Sequence, residues 1–206
     1  MSPDTVLAIG NDALALLGAQ TVQQADEGTE RAALLARIAP VTLRACLSAH
    51  PWRCTLAQPR LVRLDGAPPH SYLYRYALPA DLIAFRRALR SGTPGADLLA
   101  DHRIVGNELH TDETQVWADV QAEPPLIRWP PYLRSFARDA LAADLALAVT
   151  GSGSDAQLFQ ARAWGPPSAG GHGGQFAHAK RADDQQAPLE PMRSFPLLRV
   201  RAGGWR

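Results

Sequence analysis

A chain of 206 residues that is 46% apolar and 20% charged, with a formal net charge of +1, can bury one sizeable core plus an appendage but not two full domains. That composition excludes bulk disorder, and near neutrality argues against a dedicated nucleic-acid binder, whose affinity would come from an excess of Lys and Arg. Charges interrupt the longest apolar segments well short of the roughly 20 residues that span a bilayer, and Met1-Ser2-Pro3-Asp4 lacks the basic start of a signal segment, so neither membrane insertion nor secretion is expected. Cys46 and Cys54 are expected to be free, buried thiols.

Ser2 as N-cap, Pro3 at the first helical position, and Val6, Ile9, Ala13, Leu16 and Leu17 at helical spacing predict a first helix of about four turns ending at Gly18. Gly10 inside it costs about 1 kcal/mol relative to Ala, which points to close packing against a neighbour. After the polar residues 20–28, Thr29 caps a second helix with the stripe Leu34, Ile38, Val41, Ala45 and Ala49. Pro40 bends this helix without ending it, because the periodicity continues on both sides. It stops at His50, since Pro51 disfavours helical geometry in the residue before it, and Trp52 becomes a core anchor at the corner.

From Cys54 the pattern changes. Thr55-Leu56-Ala57, Arg60-Leu61-Val62-Arg63-Leu64, Tyr72-Leu73-Tyr74-Arg75-Tyr76, residues 82–89, Arg103-Ile104-Val105 and residues 116–120 are short alternating or β-branched runs separated by Pro, Gly, Asn and Asp. They predict an antiparallel β-meander of about five strands. Gly106-Asn107 marks a two-residue hairpin turn, as both residues tolerate positive φ. Pro130-Pro131 opens a third helix with the face Leu133, Phe136, Ala137, Ala140, Leu141, Leu145 and Ala148. Ser154 with Gln157 has the signature of a capping box for a short fourth helix reaching Trp164.

The fold class is therefore α+β: mainly a bundle of about four helices with an inserted β-meander and an extended C-terminal arm. Residues 1–164 form the core, with the bundle in 1–52 and 130–164 and the meander in 53–129. Residues 165–186 form a Gly/Pro linker with a short helix, and 187–206 the arm. The arm carries three prolines, four arginines, one acid, and the aromatics Phe195 and Trp205. It cannot fold alone, yet it is more apolar than an ordinary tail, which suits a segment that orders against a partner.

No cofactor or metal site emerges. His102, His110, Asp112 and Glu113 cluster around the predicted hairpin, but without the helical His spacing or paired cysteines of zinc sites. The glycine run 170–174 follows a helix and lacks the Gly-Lys-Ser or Gly-Lys-Thr of a P-loop, while Thr150-Gly151-Ser152-Gly153-Ser154 lacks the preceding strand of a nucleophile elbow. Two readings compete as alternatives. A small hydrolase would need His110, Asp112 and Glu113 to converge in a pocket, and a DNA-binding regulator would need a helix-turn-helix or a basic stripe.

Five segments in order resemble the head-to-tail adaptor (tail tubular protein A) family of short-tailed bacteriophages: Ile9-Gly10-Asn11-Asp12-Ala13-Leu14-Ala15-Leu16-Leu17-Gly18, Ser48-Ala49-His50-Pro51-Trp52, Tyr76-Ala77-Leu78-Pro79-Ala80-Asp81, Ile104-Val105-Gly106-Asn107-Glu108-Leu109-His110-Thr111-Asp112, and Ala142-Ala143-Asp144-Leu145-Ala146 before Thr150-Gly151-Ser152. The departure is 165–174, where relatives continue a helix. The resemblance implies a non-enzymatic virion protein of the tail or neck, made in the bacterial host cytoplasm. It implies a homo-oligomeric, dodecameric ring that joins the portal protein to the tail nozzle protein, lines part of the channel for DNA ejection and touches the passing DNA non-specifically. Under that reading the portal-binding residues are Phe195, Leu197, Leu198, Arg199, Arg201 and Trp205. A neck or completion protein of a long-tailed phage, or of a gene transfer agent, is the related alternative.

Overall fold

The computed structural model describes residues 3–24, 26–69, 72–93 and 95–186. They form five α-helices and two antiparallel sheets, a mixed α+β arrangement. The helices are α1 (Pro3–Leu16), α2 (Glu30–Ser48), α3 (Pro131–Thr150), α4 (Gly153–Trp164) and α5 (Gly174–Asp184). The strands are β1 (Leu56–Ala57), β2 (Val62–Leu64), β3 (Tyr74–Ala77), β4 (Leu82–Leu89), β5 (Arg103–Val105), β6 (Glu108–Thr111) and β7 (Trp117–Ala122).

Helix α1 stops where Gly18 takes φ +68°, and Ser2, its expected cap, lies outside the described residues. A Cβ on Gly10 would sit 2.9 Å from Leu35 Cδ2, so the glycine is there for close approach of α1 to α2. Thr29 caps α2 as expected, its hydroxyl accepting from the Ala32 N–H at 3.2 Å. The stripe assigned to α2 is only partly inward, however, with Leu34 and Ile38 half-buried against the core. The core takes Ala32, Leu35, Ala39, Leu43, Cys46 and Leu47, while Val41 is 71% exposed and Ala45 and Ala49 face outward. Both sets recur at helical spacing, roughly one residue or 100° apart, and only the packing of α1 and α3 selects between them.

Helix α3 is the hub, packed by each of the other four helices. Leu133, Phe136, Ala137, Ala140, Leu141 and Leu145 are buried as the pattern predicts, whereas Ala148 is exposed. Ala142, Ala143 and Ala146 are buried too, because neighbours approach α3 from more than one side and alanine lets them close in. Wholly buried Asp139 is held between Arg138 (Nη2 to Oδ1, 2.8 Å) and Arg162 of α4 (Nε to Oδ2, 2.8 Å). The cap of α4 is Ser152, whose Oγ accepts from the Asp155 N–H at 3.2 Å, two residues before the expected Ser154. The C-terminal Gly151 of α3, at φ +69°, leaves room for only one residue before α4 begins.

Residues 165–174 return the chain tightly. The Gly173 N–H donates to Trp164 O at 2.8 Å, and a Cβ on Gly174, at φ +55°, would meet Arg162 O at 2.4 Å. This return lays α5 against α3 and α4 and puts Phe176 and Ala179 into the same buried cluster as the other helices. The segment read as linker and short helix thus carries a fifth helix of 11 residues.

Two sheets, ordered β1-β7-β4 and β2-β3-β6-β5, replace the single five-stranded meander. The first run of the region pairs with the last, Leu56 opposite Gln121 and Ala57 opposite Val120, and local alternation cannot encode so distant a partner. The chain then bridges Arg60 to Trp117 and crosses to β3, so β7 and β3 are joined through residues 59–64. Side chains of both sheets share one core: Tyr76 and Leu109 from one, Ala88, Ala118 and Val120 from the other, closed by Leu61, Leu78, Leu99 and Val116. The β5–β6 hairpin forms as predicted, Val105 facing Glu108. Gly106 alone takes positive φ (+59°), which excludes the type I′ turn.

Gly174→Ala should lose about 2 kcal/mol or more, because it combines a left-handed backbone with a backbone clash. Gly18→Ala, with nothing within 4 Å of the added Cβ, should lose only about 1 kcal/mol. Urea unfolding of the two variants side by side checks the difference.

Candidate functional site

The corner that follows α2 joins the helical layer to the sheets. Pro51 ends the helix and leaves its last carbonyls without helical partners. Wholly buried Trp52 turns inward and its Nε1–H donates to Cys46 O at 2.9 Å. Its ring stands against His50 (4.8 Å, edge-on), Tyr132 (6.4 Å), Phe136 (6.1 Å) and Phe176 (6.1 Å, edge-on), and Trp164 closes on Phe136 at 4.8 Å. The anchor expected of Trp52 is therefore the centre of an aromatic cluster drawn from α3, α4 and α5.

Two buried polar side chains complete the corner. Gln121 of β7 donates through Nε2 to His50 O (2.9 Å) and Thr55 Oγ1 (3.1 Å), and its Oε1 accepts from the Arg86 guanidinium. Asp183 of α5 accepts from the Arg53 N–H (3.2 and 3.3 Å to its two oxygens) and from Tyr132 OH (2.6 Å), with His50 Nε2 3.7 Å away. Burial, reinforced by this hydrogen bond and the Asp183 charge, raises the Tyr132 phenol well above its ordinary value. Sequence reasoning passed over both residues. Asp183 carried a signal, since it continues Phe176 and Ala179 at helical spacing, whereas Gln121 carried none, since it follows Val120 where alternation would turn it outward.

The chemistry-bearing residues around the hairpin do not converge. His102 Nδ1 lies 2.8 Å from Leu99 O, and His110 Nε2 lies 3.1 Å from Glu108 Oε2. Asp112 accepts from the Leu73 N–H at 2.8 Å, and Glu113 pairs with Arg90 at 2.5 Å. Among the described residues no three His, Cys, Asp or Glu side chains are grouped as a metal site would require. Cys46 is buried and Cys54 half-buried, both free. Burial first, then the Asp183 carboxylate, pushes the Cys54 thiol up to about 11, and burial raises Cys46 further, so neither is an available nucleophile.

Uncovered apolar surface is the feature that remains. On the outer side of α2, Leu34 and Ile38 are half-buried and Val41 and Ala45 exposed. At one end the strip meets Ile83 of β4 beside Arg44 and Ser48, and at the other Leu34 meets Ala148 and Val149 of α3 in a groove shared with Glu30, Arg31 and Arg37; Leu147 is 63% exposed. A separate groove between α1 and α2 is lined by Pro3, Val6, Leu7, Val22, Leu35 and Ala36. The six arm residues Phe195, Leu197, Leu198, Arg199, Arg201 and Trp205 lie outside the described residues. No protein-family model matches the chain, and no curated protein shows a significant match to it.

Gln121→Leu should cost about 1–3 kcal/mol by removing the amide bonds to His50 O and Thr55 Oγ1 and leaving the Arg86 guanidinium without its buried acceptor, as read by urea unfolding. Burial lowers the His50 imidazole, with Lys180 and Arg86 adding to the effect and Asp184 and Asp183 opposing it. The folded chain therefore favours the neutral ring. Its contribution to stability is whole above the ordinary value of about 6.5 and is lost as pH falls through the lower folded value. Stability should drop from pH 7.5 to 5.5, and His50→Gln should drop less over that range.

Proposed function

We propose that this chain is a structural building block of a virus particle, a head-to-tail adaptor that forms a ring between portal and tail nozzle and contributes to the DNA channel. The observation that carries this reading is the apolar run along α2 beside its core face, where Leu34 and Ile38 are half-buried against the core and Val41 and Ala45 are exposed. A monomer gains nothing from such a strip, whereas a neighbouring copy that covers it gains about 25 cal/mol per Å² of apolar surface. The resemblance noted in the sequence supplies the kind of assembly. Its segments fall at the corner after α2, on β3, at the β5–β6 hairpin and along α3, where they serve packing and turns.

The arm is the second element of the proposal. Phe195, Leu197, Leu198, Arg199, Arg201 and Trp205 combine aromatic, aliphatic and guanidinium groups, the residue types favoured as interface anchors, and we assign them to the portal. A neck or completion protein would share the ring and the arm. The hydrolase reading loses its support, since His110, Asp112 and Glu113 are each engaged with a different neighbour.

Incubation with portal-bearing capsids, followed by sedimentation and imaging, tests the proposal. Truncation after Gln186 should leave thermal unfolding within about 2 °C of the full chain and abolish co-sedimentation. Val41→Arg should also leave unfolding unchanged, since Val41 is exposed, yet reduce ring formation at least tenfold by placing an unpaired charge between copies. A truncated chain that still sediments with portal would overturn the role of the arm.

A further inference from the structure

From the free edge of β2 and the two arginines that stand on aromatic rings beside it, we propose that this edge is a docking site for an extended segment of a partner protein in which acidic and apolar residues alternate. Strand β2 ends its sheet, paired by β3 on one side, and among the described residues no other backbone segment is hydrogen-bonded to Val62, Arg63 or Leu64. An unpaired edge is a template for an added strand, whose main chain supplies affinity and whose alternate side chains supply selectivity.

The side chains say which strand fits. Register with β3 sets Val62 opposite Ala77, Arg63 opposite Tyr76 and Leu64 opposite Arg75, so Val62 and Leu64 lie on one face and Arg63 on the other. Val62 is 69% exposed, an apolar side chain with room for a neighbour. The Arg63 guanidinium lies 3.9 Å from the centre of the Tyr74 ring, and that of Arg60, just before the strand, 5.6 Å from the centre of the Trp117 ring. Stacking fixes each planar group while leaving N–H donors at its rim for a carboxylate. Both charges act on the Tyr76 phenol, which places them over the same part of the sheet. Arg75 and Arg90 are matched by Glu108 and Glu113, whereas among the described residues Arg60 and Arg63 have no carboxylate partner.

The same features decide against other occupants. A second β2 edge would bring arginine against arginine, and positive charge on an edge strand deters such self-pairing. Nucleic acid has no ladder of backbone N–H and C=O groups to pair with β2, and its phosphates gain nothing from Val62 beside the arginines. A strand with carboxylates on the Arg63 face and apolar groups on the Val62 face satisfies the edge, the charge and the exposed valine together.

The inference goes beyond the adaptor reading and does not depend on it. The probe is a fluorescein-labelled peptide of four Glu-Val repeats, titrated with the full chain and followed by fluorescence anisotropy. Saturable binding is expected at about 50 mM salt, weakening at least threefold at about 300 mM as the charges are screened. Arg63→Glu, at an exposed position, should leave the melting temperature unchanged and weaken binding at least tenfold, with Arg60→Gln weakening it less. N-methylation of alternate peptide nitrogens removes strand pairing and keeps every charge, so it should also weaken binding at least tenfold, with no change to the protein. Absent binding, equal binding of a Lys-Val peptide, indifference to Arg63→Glu or to N-methylation, or tighter binding of a short DNA duplex would each overturn the proposal.

Discussion

The fold hangs on the corner at His50-Pro51-Trp52. Proline there is unavoidable trouble for a helix, since it ends the hydrogen-bond ladder and leaves carbonyls facing the interior. Gln121 from the sheet and the wholly buried Trp52 indole donate to the His50 and Cys46 carbonyls, while Asp183 from the last described helix accepts from the Arg53 N–H just beyond the corner. At about 25 cal/mol per Å² over the roughly 150–250 Å² an aromatic side chain can bury, Trp52 contributes about 4–6 kcal/mol as an upper estimate. That is comparable with the net stability of an ordinary domain, so the corner holds together elements far apart in sequence.

Its partners explain why the two layers are not independent. Gln121 belongs to β7, the strand that pairs with both β1 and β4, and its amide reaches the last turn of α2. Arg44 of α2 donates to Leu82 O at 2.7 Å at the start of β4. Asp183 ties α5 to the same corner through the Arg53 backbone and Tyr132. The end of the described chain is thus fixed to the same corner as the helices and the sheets.

Apolar residues also reach the surface: on α2, Leu34 and Ile38 are half-buried against the core while Val41 is exposed, and α1 with α2 leaves an apolar groove open. Meanwhile the histidines and carboxylates that could carry chemistry are engaged one by one in local contacts.

How much of this was legible in the sequence follows from the range of each interaction. Helix boundaries, the Thr29 cap, the glycine stop at Gly18, the strand of residues 82–89 and the Gly106-Asn107 hairpin rest on residues within a few positions of one another, and periodicity and turn chemistry carry that information. Which stripe of α2 faces inward, the pairing of β1 with β7, and the use of Gln121 and Asp183 could not be read this way. Each depends on a partner outside its own element, 25 residues away for Gly10 with Leu35 and 65 or more for Leu56 with Gln121 and Arg53 with Asp183. Burial is a property of the neighbours and not of the residue, so the sequence alone determined α1, α2, α3, the strand of residues 82–89 and the hairpin, and only tertiary packing decided which strands pair, which faces meet and which are left exposed.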